Sequence, residues 1–272
     1  MKVNTRLAKL KHENAQHSQR VSDYIAFFSK KQGSFKGIKK TFVPRDGFEI
    51  DPNYTTNVGV VTTVDEKFDW FNDAFSPFLK DLLAIEATNS SGATTIPLVV
   101  DGVKFGDLTA AELMRLKGLL ADDKNLDTMY RSIPVREDNV IWNPTTNDEY
   151  SGRKIFETDV IKGQTRTGEN EEIILKDPNV DPQHLPANYQ AKTTIKRRQV
   201  VTGDYTVQNF TGEWTHRQRA ELLNRKSKLL GAVIEALKDI NDIESVETGL
   251  DVDKFIGYLT YGRDHLKSGK KD

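Results

Sequence analysis

The chain has 272 residues, 37% hydrophobic and 29% charged, with a formal net charge of −1 and no cysteine. At this length folding removes roughly three quarters of the surface an unfolded chain exposes, so a core needs neither disulfide nor metal, and a soluble globular protein is expected. Lacking cysteine, it excludes disulfide scaffolds, cysteine nucleophiles, zinc–thiolate sites and cysteine-ligated iron–sulfur clusters.

The near-zero total hides segregated charge. Residues 1–45 carry a net +9, 46–100 a net −7, 101–191 a net −6, 192–228 a net +6 and the remainder −3. Such blocks predict a basic arm that meets an acidic partner, either nucleic acid or another part of one assembly. A DNA binder is usually basic as a whole, because counterion release supplies its affinity; the total therefore favours assembly.

The first predicted element is a long helix. Val3, Leu7, Leu10, Asn14, His17, Val21, Tyr24 and Phe28 follow an alternating four-and-three spacing, with no Gly or Pro before Gly33. Lys9, Lys11, Glu13, Arg20 and Lys30 occupy the other faces, so the seam is its only apolar side. Asn14 and His17 are polar seam positions of the kind that fix register and partner number. The seam packs either on a second copy or on the chain's own body. Residues 1–32 are accordingly assigned as an oligomerisation helix, 33–262 as an α+β body and 263–272 as a flexible tail.

Phe35 to Val43 alternates basic and apolar residues as a half-buried strand does. Residues 44–57 read as a loop, Val58–Val64 as a strand, and a helix is predicted from Asp65 with Phe68, Phe71, Phe75, Phe78, Leu79, Leu82 and Leu83 on one side and a kink at Pro77. Ile96–Val100 and Val103–Phe105 flank Asp101-Gly102, a two-residue hairpin signal. Thr109 and Glu112 have capping-box spacing ahead of a helix through Leu113 and Leu120. A short helical turn is predicted at Leu126–Arg131. Asn139–Trp142 and Ile155–Ile161 are predicted to form a second hairpin, residues 164–172 to be mobile, and Thr193–Gln208 to be extended. Thr215 caps a last long helix to about Asn241, and Val252–Tyr261 carries a further helical pattern. The fold class is thus α+β: mixed helices, a central antiparallel sheet of hairpins and a long N-terminal amphipathic helix.

Lys2-Val3-Asn4, Phe35-x-Gly37-x-x-Lys40-Thr41-Phe42, Val100-Asp101-Gly102, His184-Leu185-Pro186-Ala187 and Arg217-x-x-x-Glu221-Leu222-Leu223 occur in this order. Together they resemble an uncharacterised bacterial protein family described only as a domain of unknown function. The resemblance implies no reaction and no catalytic residue.

No phosphate-binding glycine loop, dinucleotide fingerprint, nucleophile elbow or His-Glu-x-x-His occurs in the chain. Asp177-x-Asn179-x-Asp181 starts like a calcium loop, but Pro182 stands where the turn glycine belongs, so a plain turn is expected. His12 and His17 point in different directions on a helix and do not grip one metal. His184 is the loop-borne acid–base candidate and lacks an identifiable nucleophile. Lys36, Lys39, Lys40, Lys196, Arg197, Arg198 and Arg217 are the candidate anion or nucleic-acid contacts, with Phe35, Phe42 and Tyr205 available for stacking; their alternative role is a solvated strand edge.

The expectation is a non-enzymatic structural or scaffolding protein without metal or cofactor. It forms a homo-oligomer, ring or filament, through the seam and complementary charge. The alternative is a nucleic-acid-binding protein that uses segments 36–45 and 192–228. No apolar run approaches membrane-spanning length, and no secretory leader is read at the start, so a cytoplasmic location is expected.

Overall fold

The computed structural model describes residues 3–48, 52–175 and 193–242, together with Leu250, Val252, Phe255 and Ile256. His184, the turn expected at Asp177–Asp181, the tail and most of the segment Val252–Tyr261 with its helical pattern lie outside the described residues. The order is α1 (Val3–Lys30), β1 (Lys36–Pro44), β2 (Thr56–Val58), α2 (Val64–Asn89), β3 (Thr95–Val100), β4 (Val103–Thr109), α3 (Ala110–Leu120), α4 (Thr128–Arg131), β5 (Asn143–Pro144), β6 (Phe156–Glu157), β7 (Ile161–Leu175), β8 (Thr193–Thr211) and α5 (His216–Asn241). The architecture is α+β, with the long N-terminal helix in place.

Local chemistry starts the helices where the sequence predicts, within a residue or two. Thr63, Thr109 and Thr215 each cap a helix in a full capping box, with Glu66, Glu112 and Gln218 reaching back to the cap backbone. α2 continues through Pro77 to Asn89. Its start consumes residues expected to be strand: β2 ends at Val58, and Gly59–Thr62 lead into the cap. Asp101 and Gly102 take φ of 49° and 79°, as a two-residue hairpin turn requires.

β1, β2, β5, β6, β7 and β8 form one antiparallel sheet around β8. β1 runs along β8 from Lys36↔Thr211 to Pro44↔Gly203. On the opposite edge β8 takes first β6 and then β7. Two sequence expectations are corrected. Asn139–Trp142 is turn and coil, because exposed Ile141 has no face to bury against and the Trp142 indole folds back on the Glu137 carbonyl (3.2 Å). Residues 164–172, expected to be mobile, lie within β7, because the backbone ladder to β8 holds them despite their polarity.

Among the described residues three clusters make the core. Val21, Phe28, Phe35, Val64, Phe71, Leu126, Met129 and Ile133 join α1, α2 and α4. Leu98, Leu113, Val233, Leu237 and Ile240 join the β3–β4 hairpin to α3 and α5. Val60, Tyr150, Ile155 and Phe210 seal one face of the sheet.

Candidate functional surfaces

The seam of α1 divides in two. His17, Val21 and Phe28 are buried and Tyr24 half-buried against α2 of the same chain, antiparallel to α1: Phe28 meets Phe68, His17 meets Phe75 and Phe78, and Lys9 meets Asp81. The Tyr24 hydroxyl donates to the Lys67 carbonyl (2.9 Å). For these four residues the partner is the chain's own body, because the aromatic stripe of α2 offers a matching apolar groove. Val3, Leu7 and Asn14 are exposed and Leu10 half-buried, so the N-terminal half of the seam remains open.

His17 is stacked on Phe78 at 4.6 Å and on Phe75 at 5.0 Å, and its Nδ1 is buried without a hydrogen-bond partner. Burial, with help from Arg20, lowers its pKa. A depressed imidazole contributes stability that is complete above its unfolded value of about 6.5 and is lost as pH falls below it. His17→Phe is therefore expected to lose less stability than the parent between pH 7 and pH 5. Urea unfolding at the two pH values reads the difference; identical losses would mean that His17 is solvated.

Some of the bases of residues 1–45 meet acids of the same chain. Arg6 (3.3 Å) and Lys9 (2.7 Å) share Asp81, Lys36 reaches Glu213 (3.7 Å), and Arg45 reaches Asp204 (3.5 Å). Of the candidate anion contacts, Lys40 lies over the Tyr205 ring at 3.9 Å, Arg197 pairs with Glu171 at 2.9 Å, and Arg217 pairs with Glu221 at 2.8 Å. Lys39, Lys196 and Arg198 are exposed, and Lys196 stands opposite Glu172 in the ladder. The stacking expectation is corrected for Phe35 and Phe42, which are buried and cannot receive a base. Tyr205 already packs on Phe42 (5.3 Å).

Glu213, which sequence reasoning missed, is a buried carboxylate between two clefts of about 220 and 330 Å³. Burial pushes its pKa up and Glu137 adds to the rise, while Lys36 and Thr211 pull it back. The Thr211 hydroxyl donates to it at 3.2 Å. With Lys36 and Thr211 register partners, Glu213 clamps the start of β1 to the end of β8.

The second missed feature is the length of the β7–β8 ribbon. β1 stops at Pro44↔Gly203, but β7 and β8 remain paired from Thr167↔Val201 to Leu175↔Thr193. This distal part pairs with no other strand among the described residues, so both outer edges are open, over about 30 Å at 3.4 Å per residue. Register shifts at Lys162/Thr165 and Arg166/Thr167 bend its base. Glu169, Glu171 and Glu172 balance Lys196, Arg197 and Arg198 across it, leaving the distal ribbon neutral. That reversed acid–base order is the signal the sequence carries for the pairing.

Among the described residues, no three His, Asp or Glu side chains converge as metal ligands, and no helix is long and apolar enough to cross a membrane. No curated protein and no solved structure matches the chain. Residues 1–262 match the family of unknown function DUF7873, and a match over nearly the whole length, helix seam and ribbon included, makes the chain a member of that family.

Proposed function

We propose that the chain is a non-enzymatic structural subunit that assembles with copies of itself, with the β7–β8 ribbon as the reaching arm and the exposed Val3–Leu7 end of α1 as a second contact. The observation that carries this reading is the ribbon. An isolated two-stranded ribbon is marginal in water, and two open edges are templates for a further strand. Adding a strand from a neighbour, or laying the ribbon on a neighbour's surface, supplies the missing stabilisation. A contact between unlike surfaces propagates head to tail and closes into a ring or runs on as a filament.

Charge favours this over nucleic acid. The ribbon is neutral, and Lys36, Lys40, Arg197 and Arg217 are occupied within the chain, which leaves Lys39, Lys196 and Arg198 for the alternative reading. Light scattering with native mass spectrometry over a concentration and salt series tests the proposal. Masses at multiples of 30.8 kDa are expected. Ile195→Lys, at an exposed ribbon position, is expected to raise the dissociation constant at least tenfold, or about 1.4 kcal/mol. A mass of 30.8 kDa under every condition overturns the proposal.

A further inference from the structure

The two open edges of the β7–β8 ribbon differ in sign. Between Thr167↔Val201 and Leu175↔Thr193, β7 carries Glu169, Glu171 and Glu172 and no base, while β8 carries Lys196, Arg197 and Arg198 and no acid. The register sets these blocks side by side at mid-ribbon, from Glu169↔Gln199 to Glu172↔Lys196. Glu169, Glu171, Lys196, Arg197 and Arg198 are exposed. Arg197 pairs with Glu171 at 2.9 Å, so one contact of unlike charge is already made across the ladder.

The signs decide which edges of two copies can meet. In an antiparallel pairing of β8 on β8 about a two-fold axis through mid-ribbon, Arg197 stands opposite Arg197 and Lys196 opposite Arg198, and like charges directly opposite one another are destabilising. β7 on β7 crowds acid against acid in the same way. A slip that parts the blocks shortens the ladder. β7 of one copy on β8 of the next repeats the acid–base contact that the ribbon already makes within itself. β1 holds the outer edge of β8 from Gly203 to Thr211, so the incoming strand is confined to residues 193–201.

The other strand edges among the described residues are poorer templates. β2 and β5 are three and two residues long. β1 is covered by β2 over Ile38–Lys40 and ends at Pro44, and β3 contains Pro97; neither proline has the donor a ladder needs. β4 carries Lys104 and Asp107, already paired with each other at 2.8 Å. From the opposite signs of the two open edges, we infer that assembly joins the β7 edge of one copy to the β8 edge of the next, and not like edge to like edge. A joined pair still offers one acidic and one basic edge, so the contact runs on or closes into a ring. This inference rests on the self-assembly reading above and adds which strand meets which.

Two triple variants of the full chain test it: E169K with E171K and E172K, which makes both edges basic, and K196E with R197E and R198E, which makes both acidic. By light scattering, each alone is expected to have a dissociation constant raised about tenfold or more over the parent. Mixed one to one, at a concentration where neither assembles alone, they should regain the parent's masses at multiples of 30.8 kDa, because a basic-edged copy then meets an acidic-edged one. A variant with all six substitutions restores the balance inside each ribbon and is expected to assemble alone as the parent does, which separates edge charge from a ribbon that fails to form. With an assembling parent, three results each overturn this inference and leave the self-assembly reading standing: a triple variant that assembles as the parent does, a mixture that stays at 30.8 kDa, or a sixfold variant that does not assemble. A parent at 30.8 kDa throughout overturns both.

Discussion

Phe28→Ala is expected to cost about 3–5 kcal/mol, the usual range for emptying an aromatic ring from a core. Phe28 is fully buried and touches Tyr24 (5.7 Å between ring centroids), Phe35 (6.0 Å) and Phe68 (6.2 Å). These rings come from α1, the turn before β1 and α2, so the cavity would open where three segments meet and little could collapse into it. Urea unfolding followed by tryptophan emission reads the loss, since Trp214 stacks on Phe68 at 5.0 Å. The midpoint should fall with the slope unchanged. Leu7→Ala, on the open half of the same helix, should change the stability of the separate subunit by no more than about 0.5 kcal/mol. If Phe28→Ala cost as little, α1 would not belong to the subunit's core in solution.

Gly203→Ala should be the most damaging small change in the sheet. A Cβ there would stand 2.4 Å from the Phe42 ring and 2.5 Å from the Val43 carbonyl oxygen. The ring is buried and the carbonyl belongs to the paired backbone, so neither yields without moving β1 from β8. Overpacking of this kind costs about 1–3 kcal/mol, and a backbone clash belongs at the upper end. Amide exchange should accelerate first at the Phe42↔Tyr205 and Pro44↔Gly203 end of the ladder. Gly106→Ala is the control, because nothing lies within 4 Å of the Cβ it would add. Similar exchange in both variants would show that the Gly203 contact has room to relax.

The capped helices and the Asp101-Gly102 hairpin were legible because their signals are local: a side chain three residues from its backbone partner, or a turn that needs positive φ. The α1 seam was legible as a seam but not as to its partner. Its periodicity states that one face is apolar, and nothing in that spacing distinguishes the Phe71–Phe78 stripe of α2 from a second copy. The polar span 164–172 hides its strand character for a related reason. Its strand character comes from a ladder partner about thirty residues away, and no apolar alternation marks a ribbon that is wet on both faces. Glu213 gave no signal, since its burial depends on β1 arriving from 175 residues earlier in the chain.

That last separation sets a timetable during synthesis. β1 is made early, yet its ladder partners, residues 203–211, leave the ribosome some 160 to 175 residues later, roughly ten to thirty seconds at ordinary elongation rates. Over that interval Phe42 and Ile38 sit on a strand that, among the described residues made before β8, the three-residue β2 alone pairs over its whole length, and Lys36, Lys39 and Lys40 are interleaved along it. Their positive charge discourages a nascent strand from joining the wrong neighbour, which gives the basic stretch a purpose on the way to the fold as well as in it.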